Sequence, residues 1–268
     1  MAKQDIGAAF RAMHHGDKAF VIPNPWDVGS AKLLEGLGFK ALATTSSGFA
    51  VSIGKRDGGT TLDEVIAHCR DLVEASDLPV SADLEKGYGD RPEDAAQTVR
   101  AAAEAGLAGC SIEDFSGDAP DAIYDFGLAV ERAEAAIEAA RSLPNDFVLT
   151  LRAENLIRQR PDLDDTIKRL QAFDEAGADV LYAPGLKTLD MVRTVCSAVS
   201  KPVNVLLGGS TDMTVGSVSD AGAKRISVGG GLTWTAYGQM IKVARRIAEE
   251  GVFDYEDSPG YGGIGKLM

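Results

Sequence analysis

Histidine, cysteine and tryptophan are scarce in this chain: three His, three Cys and two Trp among 268 residues. Cys69, Cys110 and Cys196 lie far apart and form no C-x-x-C pair. They frame neither a disulfide scaffold nor a zinc site, and read as buried thiols. His14, His15 and His68 all fall in helical segments away from strand ends. A Ser-His-Asp triad or a histidine base is therefore not expected. Tryptophan and tyrosine are too scattered to build a platform for nucleic-acid bases. No stretch approaches the ~18 apolar residues of a membrane span. Met1 to Phe20 has no apolar core followed by a cleavage site, so a signal peptide is not expected and a cytoplasmic location is. Basic residues are also short, 27 Lys and Arg against 40 Asp and Glu, a net charge of −13. Nucleic acid is not the expected partner, because a phosphate backbone needs clustered Lys and Arg. An acidic protein still binds small anions where local Arg, backbone N–H groups or a metal reverse the sign.

What the chain does have is a repeat. Eight β-rich runs recur: Ala19 to Ile22, Ala41 to Thr45, Pro79 to Ala82, Leu107 to Ile112, Phe147 to Leu151, Asp179 to Ala183, Pro202 to Leu207 and Arg225 to Val228. Helical segments stand between many of them, at 31–37, 62–75, 92–105, 163–176 and 215–221, often closed by glycine. A short amphipathic helix over Asp5 to Met13 precedes the first run, and a longer one over Trp234 to Glu250 follows the last. Pro92 at a helix start and Gly106 at its end show the expected asymmetry. Alternating short strands and helices mean βαβ units and a parallel sheet. Eight such units in a chain of this length predict one α/β domain, a (β/α)8 TIM barrel over residues 1–268. Residues 234–268 form a C-terminal extension suited to packing on a partner.

In such barrels function sits at the C-terminal ends of the strands. The apolar stretch Leu78 to Ala82, which contains the third run, leads into Asp83 and Glu85, which share a side because strand side chains alternate with period two. The fourth ends in Glu113-Asp114. Asp83, Glu85 and Glu113 offer only oxygen donors, a set suited to Mg²⁺ or Mn²⁺. Arg152, at the end of the fifth run, can grip a carboxylate in a bidentate fork or pair with Glu113 or Glu154. Ser46-Ser47-Gly48, after the second, offers hydroxyls and backbone N–H groups to a carboxylate or phosphate, or is an ordinary turn. Trp26 and Asp27 follow the first run, Tyr182 lies near the end of the sixth, Asn204 lies in the seventh and Ser227 in the eighth.

In this order the motifs resemble the isocitrate lyase/phosphoenolpyruvate mutase superfamily, in its short-chain branch. The carriers are Asn24-Pro25-Trp26-Asp27, Thr45-Ser46-Ser47-Gly48-Phe49-Ala50, Asp83-x-Glu85-x-Gly87-Tyr88-Gly89, Ile112-Glu113-Asp114, Arg152 and Tyr182-x-Pro184-Gly185-Leu186. The resemblance implies a barrel that swaps its last helix, as a homodimer or homotetramer. It implies Mg²⁺ held at Asp83, Glu85 and Glu113, largely through water. It implies an α-oxo or α-hydroxy acid whose carboxylate lies against Ser46, Ser47 and Gly48, with Arg152 binding substrate. Trp26, Asp27 and Asn204 belong to the expected substrate-binding set. Asp57, in Gly54-Lys55-Arg56-Asp57-Gly58-Gly59, falls where the mutases carry a functional Asp.

The shared chemistry makes or breaks a bond next to pyruvate through an enolate. The loop after the fourth strand departs from the family. The lyases carry Lys-x-Cys-Gly-His there and the mutases a Lys and an Asn, whereas residues 115–127 hold no Cys, Lys or His. Tyr124 is the acid/base candidate, with Asp118, Asp121 and Asp125 as alternatives that the sequence does not rank. The expected activity is a Mg²⁺-dependent C–C lyase. A P–C bond enzyme acting on a phosphonate and a barrel that binds an oxo acid without turnover are the alternatives.

Overall fold

The computed structural model describes residues 6–117, 119, 122–208, 213–255 and 258–268. The β-rich runs become β1 (Phe20–Ile22), β2 (Leu42–Ala43), β3 (Val80–Asp83), β4 (Gly109–Glu113), β5 (Val148–Arg152), β6 (Val180–Tyr182), β7 (Val203–Leu206) and β8 (Arg225–Ser227). They form one sheet in the order β1-β8-β7-β6-β5-β4-β3-β2, and every pair is parallel. The seam lies between β1 and β2. There the Ala43 N–H donates to the Pro23 carbonyl at 3.0 Å. Asn24 ties the same corner: its amide donates to the Thr44 carbonyl, and its oxygen accepts from the N–H groups of Val228 and Gly229. The result is a nearly closed (β/α)8 barrel.

The helices begin and end where their local chemistry dictates. In α2 (Val28–Gly36) Asp27 is the N-cap, accepting from the Ser30 N–H at 2.7 Å. In α4 (Leu62–Ala75) Thr61 and Glu64 form a capping box. The helix α5 (Pro92–Glu104) carries Pro at its start. Helices α6 (Phe126–Arg141), α7 (Leu163–Ala176), α8 (Leu189–Ala198) and α9 (Val215–Asp220) complete the outer ring. Gly177, at φ 106°, ends α7 in the left-handed region that glycine enters without steric cost. One element departs from the sequence reading. Ser46–Ser52 is a helix, α3, with Thr45 as its N-cap, so β2 stops at Ala43 instead of reaching Thr45.

The N-terminal end of the barrel is plugged by α1 (Ile6–Met13); Asp5 lies outside the described residues. Phe10 is fully buried against Ile22, Ala41, Ala108, Val148 and Val180. Burying a phenyl ring this way contributes about 2–3 kcal/mol. Arg11 fastens the helix through Asp146 at 2.9 Å and Asp179 at 2.5 Å. One turn on, His14 stands edge-on to the rings of Phe10 and Phe20.

At the other end of the chain α10 (Gly231–Glu250) buries only Thr233 and exposes Trp234, Met240 and Ile241. The last residues return to α2, where the Leu267 carbonyl packs against Gly36. Among the described residues no helix is long and apolar enough to cross a membrane.

Candidate active site

A cavity of about 880 Å³ lies within the barrel and reaches its C-terminal mouth. Strand register builds one of its walls. Glu113 pairs with Arg152, Arg152 with Tyr182, Tyr182 with Asn204, and Asn204 with Arg225. Register partners share a face of the sheet, and all five line the cavity. Asp83, ending β3, and Glu85, in the turn beyond it, join from the side.

Arg152 is the hub of the acidic part. Its Nη1 donates to Asp83 at 2.8 Å, its Nε and Nη2 donate to Glu154 at 3.1 and 2.7 Å, and Nη2 lies 3.1 Å from Glu113. Its guanidinium also stands 4.8 Å from the Tyr182 ring centre. Burial works against this charge, but Glu113, Glu154 and Asp83 outweigh it and hold the pKa well above the ordinary Arg value. Arg158 adds a second cation, donating to Glu154 at 3.0 Å and lying 3.7 Å from Glu113. Glu113 is itself buried, which pushes its pKa well above the carboxylate range despite Arg152.

Glu85 stands at φ 49°, a strained conformation for a residue with a side chain. That backbone turns its carboxylate toward Thr60 and Tyr88, whose hydroxyls lie 3.5 and 3.4 Å away. Burial first, then the charges of Asp83 and Asp57, push its pKa up to about 7. Asp57 stands on an exposed loop, yet lines the mouth. Crowding around its carboxylate and the nearby Asp83 raise its pKa, against a hydrogen bond from Ser46.

The donor set fits a hard divalent cation in one form. Among the described residues Asp83, Glu113 and Glu154 pair with Arg152 and Arg158, and Glu85 adds a fourth carboxylate to the wall, an excess of two negative charges when all four are ionised. Oxygen-only donors favour Mg²⁺ or Mn²⁺ over zinc. Among the described residues no three His, Cys, Asp or Glu groups converge to hold an ion directly. Arg152 stands between Asp83 and Glu113, and Glu85 turns aside. The cavity walls therefore suit an ion held mainly through water.

The other expected residues divide. Ser46 and Ser47 line the cavity, but the Ser46 N–H donates to Asp83 at 3.3 Å and the Ser47 hydroxyl lies 3.2 Å from that of Thr45. Gly48 does not reach the cavity: its N–H donates to the Thr45 hydroxyl. A Cβ there would come within 2.6 Å of Thr233, so this glycine is required for α3 to pack on α10. Trp26 and Asp27 also stand outside it. Asp27 caps α2, and Trp26 packs toward Tyr237, ring centres 6.4 Å apart.

Tyr124 is directed away from the cavity. It is buried in the helix layer beneath the Arg132 guanidinium, and its hydroxyl donates to Asp90 at 2.5 Å. Asp125 is exposed at the start of α6, and Asp118 and Asp121 lie outside the described residues. The reason is local: Phe115 and Ile123 form an antiparallel bridge that folds the loop back on itself before α6. Phe115, Ser116 and Gly117 line the cavity instead.

Asn204 is fully buried in the wall, donating to the Ser227 hydroxyl at 3.0 Å and accepting from Arg225 at 2.9 Å. Arg158 and Arg225 are not among the residues expected from the sequence, because neither stands at the C-terminal end of a strand. A charged residue two places before Ser227 in an otherwise apolar run was the available signal for Arg225, because period two turns both inward.

Comparison with known proteins agrees with the barrel fold. Residues 10–248 match the model of the PEP mutase family, described as phosphoenolpyruvate phosphomutase. The chain is 32% identical to the 2-methylisocitrate lyase of Escherichia coli K12 over 223 residues, 80% of this chain and 74% of that enzyme. Among solved structures, a lyase/mutase candidate from Burkholderia cenocepacia J2315 superimposes with a TM-score of 0.94 at 47% identity, over 98% of this chain and 95% of that one. A 2,3-dimethylmalate lyase superimposes at 0.87 and 25% identity, over 98% and 94% of the two chains. With the family model spanning most of its length, this chain belongs to the isocitrate lyase/phosphoenolpyruvate mutase superfamily of enzymes.

Proposed function

We propose that this protein is a Mg²⁺-dependent lyase that breaks or forms a C–C bond next to the oxo carbon of an α-oxo or α-hydroxy acid, through a pyruvate-like enolate. Mn²⁺ is the alternative ion. The observation that carries the reading is the Arg152 hub, a buried guanidinium fixed by Asp83, Glu113 and Glu154 on the wall of the cavity. A cation held this rigidly meets developing negative charge with no reorganisation, a contribution worth about 3–4 kcal/mol per preorganised donor in other enzymes. Asp83, Glu85 and Glu113 would hold the ion through water, leaving room for substrate. When bound, Mg²⁺ supplies Lewis-acid stabilisation of the enolate oxygen. Ser46, Ser47 and Asn204 offer neutral polar groups for the rest of the acid, and the buried walls limit competing water. The relatives named methylisocitrate and dimethylmalate lyases support the C–C assignment.

One observation favours the P–C alternative, a phosphonomutase or phosphonopyruvate hydrolase. Asp57 overlooks the cavity beside Asp83, with a raised pKa suited to holding a proton there. The test is direct. The protein with Mg²⁺ is incubated with 3-phosphonopyruvate, followed by ³¹P resonance, and with methylisocitrate and alkylated malates, followed by pyruvate release. Pyruvate from a malate supports the lyase; phosphorus turnover without it overturns that reading in favour of the alternative. Oxo-acid binding with no turnover of any of them leaves a non-catalytic binding barrel.

The exposed apolar residues of α10 support a homodimer or homotetramer in which this helix packs on, or exchanges with, a second copy. Light scattering at several concentrations tests that assembly.

A further inference from the structure

Three arginines line the cavity, and they are not equivalent. Arg152 and Arg158 are ringed by carboxylates. Arg225 forms no ion pair among the described residues, although only 4% of it is exposed. Its Nε donates to Asn204 Oδ1 at 2.9 Å, and its Nη1 lies 3.5 Å from His14 Nε2. His14 Nδ1 lies 2.9 Å from the Phe10 carbonyl, a contact that requires the proton on Nδ1. Nε2 therefore presents a lone pair to Arg225. Both partners of this guanidinium are neutral.

A buried charge without a counter-ion is costly, and folded proteins ordinarily pair it. Here two neutral acceptors orient the group while leaving its charge uncompensated. Burial lowers its pKa to about 10, assisted by the charge of Arg152, so it remains a cation at neutral pH. The register row joins Arg152 to Arg225 through Tyr182 and Asn204. The cavity thus has one cation locked among acids and another, three strands on, open to a new anion.

We propose that Arg225 is the receptor for a second anionic group of the substrate, selecting 2-oxo acids with a carboxylate or phosphonate on C3 over those with a methyl group. The proposal rests on the oxo-acid reading above and deepens it. A guanidinium fork matches either anion, and charge-assisted bonds of this kind discriminate by roughly tenfold or more.

The experiment is calorimetric titration of the Mg²⁺-loaded protein with 2-oxobutanoate, oxaloacetate and 3-phosphonopyruvate, which differ only in the C3 substituent. The wild type should bind one or both dianions about tenfold or more tighter than 2-oxobutanoate. Arg225→Gln should bind all three alike, and the dianion with the larger lost margin names the natural group. His14→Glu supplies Arg225 with a counter-ion from beneath the cavity and should erase the margin, while His14→Gln keeps it. If Arg225→Gln fails to fold, the two His14 variants decide the matter. A margin that survives in Arg225→Gln or His14→Glu overturns the proposal. So does a wild type that binds 2-oxobutanoate and the dianions equally, which leaves the oxo-acid reading standing. Binding of none of the three removes both.

Discussion

The two sides of the cavity solve the same physical problem in opposite ways. On the side of β3 to β5, Arg152 and Arg158 pair with Asp83, Glu113 and Glu154 while Glu85 lines the same wall, so carboxylates outnumber cations. On the side of β7 and β8, Arg225 is held by Asn204 and His14 and forms no ion pair among the described residues. The first side can take up further positive charge, and the second negative charge. A metal-assisted reaction of an anionic acid needs both within one enclosure. The difference also teaches where stability resides, since the acidic side depends on a cation that other groups require and the opposite side does not.

The largest effect should come from removing that cation. Arg152→Met strands Asp83, Glu113 and Glu154 in a buried wall and should cost about 3–5 kcal/mol in stability, with turnover lower by at least about a hundredfold. Arg225→Met leaves only two neutral acceptors unpaired and should cost about 1–3 kcal/mol. Urea unfolding of the two variants measures the gap, and equal losses would break the comparison. Next in size, Asp83→Ala should weaken ion binding by about tenfold to a hundredfold with the barrel intact. Titration with Mn²⁺ followed by electron paramagnetic resonance reads this, and unchanged affinity would put the ion elsewhere.

The neutral side makes a prediction in pH. Burial, then the charge of Arg225, lowers the His14 pKa from 6.5 to about 3. Between these values the unfolded chain takes up a proton that the folded protein refuses, so stability falls as pH drops through that window. The slope from this residue is at most about 1.4 kcal/mol per pH unit. His14→Gln keeps an acceptor for Arg225 without the titration, so its melting temperature should vary less between pH 7 and pH 4.5. Parallel curves for the two proteins would refute a neutral, buried His14. The smallest effect belongs to Tyr124→Phe, which deletes the bond to the largely exposed Asp90 and should cost no more than about 1 kcal/mol. Its turnover should match the wild type in a steady-state assay; a large fall in turnover would return Tyr124 to the reaction.

Much of this was legible in the chain. The eight runs, the glycines closing helices and the carboxylates after β3 and β4 follow from period-two and helix-capping rules that act within a few residues. Those rules failed where a neighbour far along the chain intervened. Asp27 and Gly48 resembled binding residues, but one became a helix cap and the other a contact with α10. Tyr124 was placed by the fold-back of its loop, fixed by a bridge between Phe115 and Ile123. Arg225 was missed because it begins its strand.

The sequence by itself determined that this is an eight-unit α/β barrel with acids gathered at the ends of two adjacent strands, since strand and helix periodicity are local properties. The tertiary structure alone decided which arginine is neutralised and which is not. Strands in a barrel are staggered, so the first residue of β8 stands in register with the last of β5 by way of β6 and β7. Electrostatics inside a cavity depends on distances across that wall, which the order of residues does not contain.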